Sequence, residues 1–232
     1  MIDAPLTSIR LMDTHRLIPS RYPPVGILDV VAAPEDLELI IELEGWTNDR
    51  ISAELGVIRT IPSAEWVVGR PQSSVIMAAF CHPNPRGGRF NDPTLGAWYA
   101  ARSLETAHAE VIHHRTIELE EIGMLDARAE MREYVADMDA AFHDVRGDDP
   151  AFEPLYNPDS YDASQAFAAP LRASGSNGML YRSVRHVGGE CVACFRPLLV
   201  NNVRSAAHFE YRWSGTRVPS VVGLASSCLP AS

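Results

Sequence analysis

The chain contains no lysine: all 20 of its basic residues are arginine. That absence excludes chemistry built on a lysine amine, including a pyridoxal-phosphate (PLP) Schiff base, a phosphate-binding P-loop and a protein-kinase site. If the chain recognises phosphate, it does so with arginine forks, backbone N–H groups or a metal. Cysteine is scarce too. The four cysteines, at positions 81, 191, 194 and 228, are too few and too irregular for a disulfide framework in 232 residues. The first residues do not read as a signal peptide, and the longest apolar run, 75–81, is too short to cross a bilayer. The expectation is a reduced, cytoplasmic protein with no membrane partner.

What is present fits a folded chain. Hydrophobic residues make up 46% and charged residues 22%, which is ordinary for a globular domain able to bury a core. Thirty carboxylates against 20 arginines leave a formal charge of -10, so the chain as a whole has no attraction to a phosphate backbone and nucleic acid is not an expected partner. There is no internal repeat and no low-complexity linker. The mixed elements, strand-heavy in the second half, read as one α+β domain over residues 1–232.

Periodicity and capping signals give the expected elements. Pro34 opens a helix with Leu37, Ile40, Ile41 and Leu43 as its apolar stripe, and Asn48-Asp49 caps a second that Gly56 closes. Residues 74–81 read as a short buried strand, and 97–101 as another. Between them lies a Pro- and Gly-dense loop containing Arg86-Gly87-Gly88-Arg89-Phe90-Asn91. Ser103 caps a helix over 103–115, with Leu104, Ala107, His108 and Val111 facing the core and Thr106, Glu110, His113 and His114 on a polar stripe. Strands are expected near 117–125 and 131–135, a loop over 148–162, a helix over 163–173, and closing strands over 179–185, 191–195 and 207–213.

Three constellations bear on chemistry. Cys191-x-x-Cys194 lies on a strand, where residues three apart point to opposite faces, so a shared metal is not expected and small core residues are. Glu110 and His114 are helical neighbours whose ordinary reading is an exposed ion pair, and no HExxH pattern accompanies them. The Arg86-Gly-Gly-Arg89 loop has the stronger case. Glycines allow close backbone approach to an anion, and arginine offers a fixed fork, although such a loop alone is more often a tight turn with solvated arginines.

Several ordered segments together resemble the RES domain family. They are His15-Arg16-Leu17-Ile18-Pro19-Ser20-Arg21-Tyr22, then Gly87-Gly88-Arg89-Phe90-Asn91, Trp98-Tyr99-Ala100, and Ser103-Leu104-Glu105-Thr106-Ala107 leading to Glu110. The later strands 178–185 and 191–197 continue the match. The resemblance implies a toxin of a type II toxin–antitoxin pair that consumes NAD, with a core like the ADP-ribosyltransferase split β-sheet and flanking helices. By the same resemblance Arg89 holds the NAD diphosphate and Tyr99 stacks on nicotinamide or its ribose. Glu110 binds the ribose hydroxyls and stabilises developing positive charge, and Ser183 completes the pocket. Arg16 matches the N-terminal arginine motif, with Arg21 and Tyr22 as neighbours. Residues of about 30–70 form a helical insertion that short RES domains lack.

This chemistry suits the residues on their own terms. Nicotinamide leaves NAD as a neutral molecule, so no general acid, metal or PLP is required, and a fixed carboxylate stabilises the oxocarbenium-like ribose. Water, phosphate or a protein side chain can each accept the ribosyl group. The expected activity is therefore an NAD glycohydrolase or phosphorylase. The rivals are ADP-ribosyl transfer to a cellular protein and non-enzymatic nucleotide binding. The expected partner is a helical, Xre-like antitoxin whose acidic segment plugs the arginine-lined pocket, and the family resemblance adds a homo-oligomer. Among the arginines of the second half, Arg182, Arg185 and Arg196 are expected to pair with the surplus carboxylates, which favours NAD over NADP.

Overall fold

In the computed structural model, the described residues are 4–21, 27–29, 33, 58 and 60–224. The helices expected to begin at Pro34 and Asn48, and most of the expected insertion, lie outside them. Seven strands form one sheet in the order β1-β2-β5-β4-β3-β6-β7, with β1 also paired to β3. The strands are β1 (Leu6–Pro19), β2 (Trp98–Ala101), β3 (Asp126–Asp144), β4 (Gly178–Arg182), β5 (Glu190–Cys194), β6 (Asn201–Ser214) and β7 (Ser220–Leu224). Among the described residues three α-helices accompany them: α1 (Ser73–Cys81), α2 (Leu104–Glu121) and α3 (Asp162–Ala173).

The sheet consists of two antiparallel sets. Strands β1, β3, β6 and β7 make one, and strands β2, β5 and β4 make the other. Two small junctions join them: the single pair His15–Ala101 between β1 and β2, and the parallel pairing of His143 and Asp144 with Met179 and Leu180. Because β1 and β2 share only that one pair, they part beyond it. The gap between them is where the cavity described below opens.

Strand alternation sorts the buried side chains into two cores. Trp98, Ala100, Leu180, Val192 and Cys194 face α1, together with Trp66, Phe80, Tyr134 and Phe142. Ala101, Met179, Tyr181, Cys191 and Ala193 face the other way, with Ala107 of α2, Phe152, Leu155, Ala168 of α3 and Trp213. Cys191 and Cys194 therefore lie on opposite faces, as the strand spacing requires. Burial raises both thiols, Cys194 to about 12, so both stay protonated packing groups.

Four elements differ from the sequence reading. Residues 74–81 are helical rather than extended. A continuous apolar run is buried equally well in either form, and Ser73 closes the first turn of α1 by donating to the Arg70 carbonyl. Helix α2 runs on to Glu121 and absorbs most of the strand expected over 117–125. Its continuation is anchored by buried Thr116, whose hydroxyl donates to the Arg217 carbonyl and accepts from the Trp213 indole. The first segment, to which the sequence reading assigns no element, forms a long strand along β3, with a bulge between Leu11 and Thr14. Finally, β4 ends at Arg182, leaving Ser183 and Arg185 in a turn. The loop expected over 148–162 holds a short 3-10 turn, Pro150–Tyr156, capped by Asp149, which buries Phe152 and Leu155.

Candidate active site

A cavity of about 220 Å³ opens between α2, β1 and β2. Its walls bring together Arg16, Arg89, Tyr99 and Glu110, contributed by four separate segments of the chain. His15, His114, Tyr161, Tyr181 and Cys191 complete its polar lining. The sequence reading assigned no site role to these five.

The Gly-Gly-Arg loop is locked from inside. A Cβ on Gly88 would lie 2.6 Å from both the Tyr99 hydroxyl and Asn91 Oδ1, and Gly87 has φ +73 with the Asn91 carbonyl 2.2 Å from where its Cβ would stand. The glycines are thus required by packing against Tyr99 and Asn91. The Tyr99 hydroxyl donates to Asn91 Oδ1 (2.8 Å) and accepts from the Phe90 N–H (2.9 Å). Gln165 of α3 donates to the Gly88 and Arg86 carbonyls from the other side. Burial pushes the Tyr99 phenol up, so it stays neutral and its ring forms part of the wall.

The two arginines of this loop part company. Arg86 is exposed and pairs with Glu121 at 2.7 Å. Arg89 is buried: its Nη1 donates to the Leu155 (2.8 Å) and Asn157 (3.1 Å) carbonyls, and its guanidinium lies 4.7 Å from the Tyr161 ring centroid. Among the described residues no carboxylate pairs with Arg89. Arg16 is in the same position. Its Nη1 reaches across the parted strands to the Tyr99 carbonyl at 3.0 Å, and its guanidinium packs on Trp98. Burial lowers its pKa to about 10, partly offset by Tyr99, and it remains a cation at neutral pH. Two arginines without carboxylate partners at one cavity make an anion-seeking surface within an acidic chain.

Glu110 departs from its expected stripe. Ala107, Glu110, Val111 and His114 follow one another at i, i+3, i+4 and i+7, and all four line the cavity. Thr106, expected on the polar stripe, is buried and bonds to His186 at 2.8 Å. Glu110 therefore faces inward, with its carboxylate held by the Ser183 hydroxyl at 2.6 Å. Ser183 is itself fixed in its turn by the N–H groups of Arg185 and His186, each at 3.0 Å. The expected ion pair with His114 is loose, at 4.0 Å. Desolvation, followed by the charges of His113, Arg185 and Arg89, pushes His114 down to about 4, so the ring is uncharged at neutral pH.

The remaining sequence-based expectations fall as follows. Ser183 stands behind Glu110 and outside the cavity wall. Arg21 lines a different cavity with Arg115 and Arg128. Tyr22 lies outside the described residues. Arg182 and Arg196 pair with Asp148 and Glu65, whereas Arg185 donates to the Pro158 carbonyl. Among the described residues no three His, Cys, Asp or Glu side chains gather as a metal site, and no helix is long and apolar enough to cross a membrane.

The family model for the RES domain matches residues 64–214, about two thirds of the chain. The chain belongs to the RES domain family. The RES match contains Arg89, Tyr99, Glu110 and Ser183, while Arg16 and Arg21 precede it. A relative from Sinorhizobium fredii (strain NBRC 101917 / NGR234), the uncharacterized protein y4oC, is 26% identical over 206 residues, covering 88% of this RES protein and 84% of that one. A chain of the M. tuberculosis MbcT–MbcA toxin–antitoxin complex is similar at 16% identity and a TM-score of 0.39, covering 54% of this chain and 72% of that one.

Proposed function

We propose that this RES domain protein cleaves the bond between nicotinamide and ribose in NAD and acts as the toxin of a type II toxin–antitoxin module in the cytoplasm. The observation that carries the reading is the position of Glu110. It is a carboxylate oriented by Ser183, on the wall of a cavity that also presents Arg16 and Arg89 without carboxylate partners. The arginines suit the NAD diphosphate, and the Tyr99 ring suits the nicotinamide ribose. Glu110 then lies where positive charge grows as nicotinamide leaves, and a pre-oriented carboxylate stabilises that charge without reorganising. The leaving group departs neutral, so it needs no proton and the step needs no metal. The two strand sets joined by short junctions support an ADP-ribosyltransferase-like reading of the sheet.

Ser183 enters this scheme as the group that positions Glu110. An enzyme that drains NAD needs restraint, and a helical, Xre-like antitoxin with an acidic segment complements the two cavity arginines. Purified protein incubated with NAD is expected to release nicotinamide. Co-expression with a cognate antitoxin is expected to give a complex and to relieve growth arrest. Protein that leaves NAD intact would contradict the reading.

A further inference from the structure

His15 lines the same cavity as Glu110, and its ring is set by the fold rather than by the substrate. The β1 bulge places it. Asp13 adopts φ 54 and its N–H donates to Asp137, while the buried Thr14 hydroxyl donates to the Ala136 carbonyl. Such bulges re-aim the side chains that follow them. His15 Nδ1 then lies 2.6 Å from Oε1 of Glu133, a buried carboxylate whose Oε2 accepts the Ala207 N–H at 3.1 Å. A carboxylate can only accept, so Nδ1 carries a ring proton, and in the neutral imidazole Nε2 holds the lone pair. Nε2 has no protein partner among the described residues.

We propose that His15 is the general base that activates water as the ribosyl acceptor. This rests on the NAD-cleaving reading and deepens it by naming the acceptor. As the C1′–nicotinamide bond breaks, its electron pair leaves with nicotinamide. A lone pair of the water oxygen forms the new bond to C1′, and one water proton passes to His15 Nε2 and then to solvent. The products are ADP-ribose, nicotinamide and one proton, with no change of oxidation state. A phosphate dianion has no proton that must be removed, so this pair suits water.

The other histidines nearby are committed elsewhere. His108 of α2 is bonded to the Tyr211 hydroxyl of β6 at 2.5 Å. His114, driven down to about 4, is too weak a base and faces Glu110 instead of a second carboxylate. The charged and titratable groups around His15 are Glu133 behind it, His108 of α2, and Glu110, Arg16 and Arg89 of the cavity lining.

The test is the pH profile of nicotinamide release in phosphate-free buffer. For the wild-type protein, kcat is expected to fall on the acid side as the imidazole is protonated. His15→Asn, which keeps a donor toward Glu133, is expected to lose about 100-fold in kcat, with KM and melting temperature little changed and the acid-side fall displaced to lower pH, where Glu110 loses its charge. Added imidazole is expected to restore part of the rate of His15→Ala, which a merely structural role would not allow. A wild-type profile without an acid-side fall, a His15→Asn protein at full rate, or a fall that stays at the wild-type position in it would overturn the inference while leaving NAD cleavage standing. A wild-type protein that releases no nicotinamide at any pH overturns the underlying reading and this inference together.

Discussion

The Ser183 hydroxyl donates to Oε1 of Glu110 at 2.6 Å, tying the turn after β4 to the middle of α2. That one bond fixes the direction of a carboxylate that is otherwise free to rotate on a partly exposed helix face. A hydrogen bond to a charged group contributes about 1.5–3 kcal/mol. If it is realised in the transition state, Ser183→Ala is expected to lower kcat by roughly 10- to 100-fold. Its effect on KM should be small. Steady-state kinetics on NAD would separate the two.

Gly88→Ala tests the packing of the loop. The added Cβ would meet the Tyr99 hydroxyl and Asn91 Oδ1 at 2.6 Å, so one of them must move. Overpacking of this kind costs about 1–3 kcal/mol, and a displaced Tyr99 no longer shapes the wall. The expected outcome is a lowered melting temperature together with lost activity. A variant with unchanged melting and full activity would show that the loop yields freely.

Arg89→Lys keeps the charge and loses the fork. Arg89 bonds two carbonyls through Nη1 while stacking on Tyr161, and the rest of the guanidinium is left for a ligand. A point-charge ammonium cannot do both. NAD affinity is expected to collapse with the fold retained, as measured by titration calorimetry beside circular dichroism.

The sequence made some of this legible, and for physical reasons. The strands expected over 97–101 and 191–195 are found at Trp98–Ala101 and Glu190–Cys194. The Ser103 cap located the start of α2. The grouping of Arg16, Arg89, Tyr99 and Glu110 came from the resemblance to the RES family, carried by ordered motifs that lie far apart along the chain. Local pattern could not show the rest. The apolar run in α1 satisfies either a helix or a strand, and its local pattern does not choose between them. Glu110 was placed on a polar stripe because helical periodicity reports polarity and does not distinguish solvent from a cavity. His15 and Tyr161 carry no local signal: the first depends on a bulge and on Glu133 118 residues away, the second on Arg89.

His113 and His114 supply a pH dependence. Both are pushed from 6.5 to about 4, by desolvation first and by neighbouring cations second. The unfolded chain therefore binds more protons than the folded one between those values. Stability is full above about pH 6.5 and is lost as pH falls toward 4. His114 is half-exposed, which keeps the effect modest. Melting curves from pH 7.5 to 5 should show a decline that the double variant His113→Gln, His114→Gln flattens. An identical decline in the double variant would assign it to other groups.

The most direct test of NAD cleavage at this cavity compares wild-type protein with Glu110→Gln, which keeps the size and an acceptor for Ser183 but removes the charge. Each is incubated with NAD, and free nicotinamide is quantified alongside the melting temperature. The expected result is steady release by the wild type and near-complete loss in a Glu110→Gln protein that melts normally. Release by a well-folded Glu110→Gln protein at the wild-type rate would contradict the account.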